Sequence, residues 1–418
     1  MNELAELMKR VDFYFGHRFL LKVLIVWVIS HSLLLVYADT DSNFFATDEN
    51  AYVQITRFFS NEPVITDVPS LSMSLANASL ALHFPAKFLV AFGLQPIFAL
   101  RAISAFYSFL CLILFVLMLS FQSPIMKSKS SRDCSLVRKS VLVIYVLFPS
   151  HALWHSLALR ESAAEFFSML FICSLFGLTK NRITLPLLIT LYVAFVLALI
   201  GITFSRWQYI FSLLGCLLFG LFYLFPTKRR LPLTLLTLTT LLSISFSNSY
   251  FSPNEIYMRL KGTSAVVSES ISSRNDPANS KIEIFNVTNP AIIEESALAS
   301  NLSSFSTGFV NFIWHLISVI MRPFVFFDTD SAITWLAALE NLCFIGLFFF
   351  VYLQISRYIS LINKEILLLS SWTTIHFVVL AMYEQNIGTA FRHKSITLWS
   401  LLFLTVFIHN RKKNFNPL

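Results

Sequence analysis

The sequence predicts an all-α fold: a polytopic membrane bundle of about ten spans, up to twelve, with two further helices that lie in or re-enter the outer interface. Three observations lead there. Hydrophobic residues make up 56% of the 418 positions and charged residues only 13%, about half the share of charge in a soluble domain. The apolar residues cluster in runs of about 20, the length that crosses a bilayer as a helix. Lys and Arg alternate from side to side of those runs in the way that sets membrane orientation. The formal charge of +8 is therefore a topological signal, and no nucleic-acid partner is expected.

The first apolar run follows Glu3, Glu6, Lys9, Arg10, Asp12, Arg18 and Lys22 and has no small-residue cleavage site after it. This predicts a retained signal anchor. Spans are expected at 20–38, 97–121, 140–158, 163–179, 183–203, 207–226, 231–247, 333–355, 366–383 and 395–409, with 80–94 and 306–321 ambiguous. Charge decides the ambiguity. With Met1 cytoplasmic and neither ambiguous segment crossing, the cytoplasmic pieces hold 19 of the 31 Lys and Arg and only 5 of the 23 acidic residues. Letting 80–94 cross would export the basic stretch 123–139, and letting 306–321 cross would export Arg411–Lys413, both against the positive-inside rule. The whole chain, 1–418, thus reads as a single membrane domain with cytoplasmic N- and C-termini in a cell inner membrane. A first outer loop covers 39–96 with one interfacial helix, and a large outer loop covers 248–332 with one re-entrant helix. Polar backbone at membrane depth survives only where protein or a wet cavity covers it, so a cavity on the outer face is expected. The five cysteines, Cys111, Cys134, Cys173, Cys216 and Cys343, lack metal-site spacing, and neither disulfides nor structural zinc are expected.

The residues suited to chemistry fall on that outer side. Asp48 and Glu49 follow the first span; adjacent carboxylates near an apolar surface suit a general base or a divalent cation. A Mg or Mn ion is the one cofactor this pair suggests, and no metal-ligand set is assigned. Arginine's planar fork suits phosphate. Arg101, Arg160, Arg206, Arg322 and Arg392 all converge on the outer face, although each alone could be an interfacial anchor. Glu161 follows Arg160 directly and could simply pair with it. Glu340 lies inside an apolar span, where a carboxylate is costly and needs a partner. The polar stretch Glu384–Lys394 reads as a loop in which Gly388 allows close backbone approach. It also brings Glu384 and Asn386 near Arg392 and His393, a pair able to bind a diphosphate or shuttle a proton. His151 and His155 share a helix face at i, i+4, a metal spacing that lacks a visible third ligand. Three Asn-X-Ser/Thr triplets, at Asn77, Asn286 and Asn301, fall on the outer side.

Several segments resemble the GT-C superfamily of membrane glycosyltransferases that use lipid-linked sugars. The retained first helix is followed by an outer segment opening Asp48-Glu49-Asn50-Ala51-Tyr52. Pro85–Ala105 is similar to the bacterial protein-mannosyltransferase-like and aminoarabinose-transferase-like branch, in which an outer-face helix ends at Phe-Gly (Phe92-Gly93) and leads to a helix beginning with Arg (Arg101). Phe148–Glu161 resembles surface-polysaccharide membrane proteins of the same kind. The resemblance covers roughly residues 1–180. It implies transfer of a sugar from a polyprenyl-phosphate-linked donor to a glycan or lipid acceptor at the periplasmic face, in cell-envelope polysaccharide or glycolipid biosynthesis. It also implies that Asp48 is the base or acceptor-orienting carboxylate beside Glu49 and that arginines on the outer face hold the donor phosphate; the residues themselves point to Arg160, Arg206, Arg322, Arg392 and His393 for that phosphate, with Arg101, Glu161, Glu340, Glu384 and Asn386 in support. An O-antigen or capsule repeat-unit polymerase shares this architecture and fits the 248–332 loop with Arg322, Arg392 and His393. A lipid-linked oligosaccharide flippase or transporter would show matching halves and midplane charges, which are not visible here.

Overall fold

The computed structural model describes residues 2–37, 47–60, 79–121, 131–180, 183–247, 313, 316–323, 332–357, 363–383 and 387–415. Every regular element among them is helical: α1 (Asn2–Phe15), α2 (His17–Tyr37), α3 (Thr47–Phe59), α4 (Leu80–Ala91), α5 (Pro96–Phe121), α6 (Ser131–Leu147), α7 (Pro149–Ser156), α8 (Glu161–Leu178), α9 (Leu185–Arg206), α10 (Ile210–Tyr223), α11 (Thr227–Ser247), α12 (Ala332–Arg357), α13 (Lys364–Tyr383), α14 (Ile387–Lys394) and α15 (Leu398–Phe415). Among the described residues, five stretches are long and apolar enough to cross a membrane, or seven if each of two bent helix pairs counts as one span; the ten expected from the sequence are not all seen among them.

The bends have local causes. Gly16 sits at φ 71° between α1 and α2, a conformation glycine adopts without steric cost, and the axis turns by 81°. The expected span 140–158 breaks at Phe148, which is extended at ψ 115° ahead of Pro149. Proline disfavours helical backbone in the residue before it, and the axis turns by 51° there. The 39-residue apolar run Leu185–Tyr223 would be about 58 Å long as one straight helix. It folds back at the 3₁₀ turn Trp207–Tyr209. Arg206 meets Glu161 at the start of α8, whereas Arg229 donates to the carbonyl of Leu178 at the other end of α8, so α9 and α10 must run in opposite directions.

Helix α8 sits at the centre, packed on α9 and α5. Small residues let it approach closely: a Cβ on Gly201 would lie 2.2 Å from the ring of Phe167, and one on Gly177 2.6 Å from Leu191. Close helix approach through glycine is a common device in membrane bundles. The main core joins α1, α2, α5, α6, α8–α10, α12, α13 and α15 around residues such as Phe115, Tyr145, Phe171, Trp372 and Trp399. A second core, of Tyr52, Ile55, Leu82, Ala86, Leu100, Leu157 and Leu159, lies under α3 and α4. Helix α4 is the ambiguous segment 80–94 and is only 12 residues long, too short to span. Segment 306–321 lies mostly outside the described residues. Basic side chains gather at the end of the bundle away from Glu161: Arg229 on Leu178 O, Lys364 on Leu224 O, and Arg138 over the ring of Tyr14.

Candidate anion site at one end of the bundle

The start of α8 carries a fully buried carboxylate, Glu161. Two arginines and a histidine from the ends of two other helices reach it. Arg206, the last residue of α9, donates through Nη2. Arg392 of α14 places Nε 3.0 Å from Oε1, and His393 places Nε2 3.4 Å away. Arg160, immediately before α8, is also buried and lies 5.5 Å above the ring of Tyr52 from α3. Arg392 lies 5.8 Å from the ring of Trp154 on α7. Burial, and then the neighbouring Arg206 charge, push the Arg160 pKa down. A guanidinium among guanidiniums gains most from a nearby anion.

Local sequence explains this arrangement. The hairpin turn at Trp207 delivers Arg206 to the level of Glu161. The segment expected to be a polar loop, 384–394, is helical from Ile387 onward, so Arg392 and His393 reach the site from a helix end. Arg160 and Glu161 are sequence neighbours, and the structure brings Arg206, Arg392 and His393 to that carboxylate, a set of partners that adjacency could not reveal.

A second buried carboxylate, Glu49 on α3, binds Arg101 of α5 fork to fork. Arg101 Nε lies 3.1 Å from Oε1 and Nη2 lies 3.3 Å from Oε2, while the Ala158 backbone amide donates at 2.8 Å. Asp48 belongs to α3, and its side chain lies outside the described residues, as do Glu384 and Asn386. Arg322 enters through its backbone: its carbonyl accepts from Lys394 Nζ, which also meets Asn341 Oδ1 and the Ile320 carbonyl. Glu340 finds its partner at the start of α7, where the Ser150 amide donates at 3.0 Å to each oxygen and the Ser150 hydroxyl adds a third bond. A carboxylate satisfies the open amides and the positive end of that short helix.

Sequence reasoning missed three participants. Lys394 was legible only as part of a polar run. Asn341 ties down Met321 and Pro323 through their carbonyls. Glu165 lies one turn below Glu161 and meets His151 and His155, both at 3.1 Å; its i, i+4 spacing from Glu161 was the available clue. Comparison of the chain with protein-family models, with curated proteins and with solved structures finds no match.

Proposed function

We propose that the protein is an integral-membrane glycosyltransferase that takes a sugar from a polyprenyl-phosphate-linked donor and places it on a glycan or lipid acceptor outside the cytoplasm. One observation carries the reading: Arg160, Arg206, Arg392 and His393 converge from separate elements on a single buried point. Guanidinium forks pre-oriented by a carboxylate are suited to a phosphate or diphosphate leaving group, because they need little reorganisation when charge develops. Glu161 acts as the aligning group. The basic residues at the opposite end of the bundle favour an outward-facing site under the positive-inside rule. By the same rule the N- and C-termini are read as cytoplasmic and α4 as lying at the outer interface.

In this mechanism the bond between the anomeric carbon and the phosphate oxygen breaks. The acceptor hydroxyl oxygen bonds to that carbon, its proton passes to Asp48, and the freed phosphate stays with the arginines. Glu49 then serves by fixing α3 against Arg101. A divalent cation, Mg or Mn, would assist the leaving phosphate where Asp48 could hold it.

A repeat-unit polymerase is the second reading, favoured by the arrival of Arg392 and His393 beside Arg160 and Arg206. A profile of surface glycans and lipid-linked intermediates in a deletion strain separates the two. A polymer ladder collapsed to one lipid-linked repeat supports the polymerase, and a full-length polymer lacking one sugar supports the transferase. Unchanged glycans and intermediates overturn both.

A further inference from the structure

We propose that His151, His155 and Glu165 form a binding site for one divalent first-row transition ion of the zinc class. His151 and His155 lie four residues apart on α7, so both imidazoles leave the same helix face. Glu165 supplies the third donor from α8. His151 Nε2 lies 3.1 and 3.2 Å from the two carboxylate oxygens, and His155 Nε2 lies 3.1 Å from Oε2. Tetrahedral coordination with bonds of about 2.0–2.1 Å places neighbouring donor atoms about 3.3 Å apart. The donor atoms of the three residues all lie within 4.8 Å of one another, and the imidazole rings are 4.0 Å apart between centroids.

The surroundings are those of a built site. The three side chains are at most 4% exposed, deep enough that an unsatisfied polar set would be costly. The Tyr145 hydroxyl donates to Glu165 Oε1 at 2.7 Å, which orients the carboxylate as outer-shell partners of metal ligands do. Glu340 fixes the start of α7 through Ser150, holding both histidines in register. His155 Nδ1 has no hydrogen-bond partner among the described residues. Two imidazoles and one carboxylate suit zinc and its neighbours better than magnesium or calcium, which prefer all-oxygen shells. Three protein ligands leave one position open. Glu165 lies four residues along α8 from Glu161, about 6 Å of helical rise.

The test uses the full chain purified in detergent and stripped with a chelator. Titration with zinc, and with cobalt followed by its visible absorption bands, is expected to saturate at one ion per chain. His155→Gln and Glu165→Gln should each weaken binding by at least about 100-fold, and Tyr145→Phe by about 10-fold. Stripped wild-type protein that binds no stoichiometric ion overturns the proposal, as do variants that bind as tightly as wild type. The cobalt spectrum of the wild-type chain decides the matter even if a variant fails to fold. Binding is read without any glycosyl transfer, so loss of the metal site and loss of the transferase reading are separate results.

Discussion

Glu49 and Glu161 are both fully buried carboxylates that meet arginine, yet they do different work. Glu49 and Arg101 join α3 to α5 fork to fork, and the Ala158 amide completes the contact. Glu161 is shared by Arg206, Arg392 and His393, with Arg160 beside it. A matched pair is a strut, because its charges leave little field beyond it. A carboxylate with several cations around it is suited to be a pre-aligned anion site, because the guanidiniums hold their places in advance. On the proposed function the first region contributes to stability and the second to binding.

The largest effect should come from breaking the strut. Glu49→Gln leaves a buried guanidinium facing a neutral amide and is expected to cost about 3–5 kcal/mol, read as a drop in thermal unfolding temperature in detergent. The double variant Glu49→Gln with Arg101→Gln should recover most of that loss; no recovery would mean that Glu49 belongs to the functional region. The next effect tests the other side of the comparison. Arg392→Gln should lower turnover of a lipid-linked donor about 100-fold, worth about 2.7 kcal/mol of transition-state stabilisation, while the unfolding temperature stays near that of wild type. A stability loss as large as that of Glu49→Gln would make the Glu161 cluster a second strut.

His83 joins the two regions, and its effect is smaller. Its Nδ1 is 2.8 Å from the Thr56 hydroxyl of α3. Burial, and then the Arg160 charge, push its pKa down to about 3 from 6.5. The unfolded chain therefore binds a proton between pH 6.5 and 3 that the folded chain refuses. His83 imposes no penalty above pH 6.5, and stability falls as pH drops below it, by about 1.4 kcal/mol per pH unit. His83→Asn should flatten the unfolding temperature between pH 6.5 and 5, and an unchanged slope would place the titrating group elsewhere. The smallest effect is expected at Trp154, whose ring lies near Arg392. Trp154→Leu removes a cation–π contact worth about 0.5–1 kcal/mol and should weaken donor binding severalfold without altering the strut.

The sequence by itself determined that the fold is helical, with several helices long and apolar enough to cross a membrane, because hydropathy and run length are legible in the chain itself. It also marked Arg160, Arg206, Arg392 and His393 as candidates, since charge at the edge of an apolar run is conspicuous. Their grouping was not legible. Arg392 lies 231 residues from Glu161 in the chain, and only the packing of α14 against the end of α8 brings them together. The partner of Glu49 was hidden for the same reason: nothing in the chain pairs it with Arg101, 52 residues away. The histidines of α7 lacked a third ligand in the sequence because Glu165 lies on the next helix, beyond the turn at Leu157–Arg160. Hydrophobic periodicity is local and survives in the one-dimensional sequence. Charge pairing in a low-dielectric interior depends on distances between helices, and only the tertiary structure sets those.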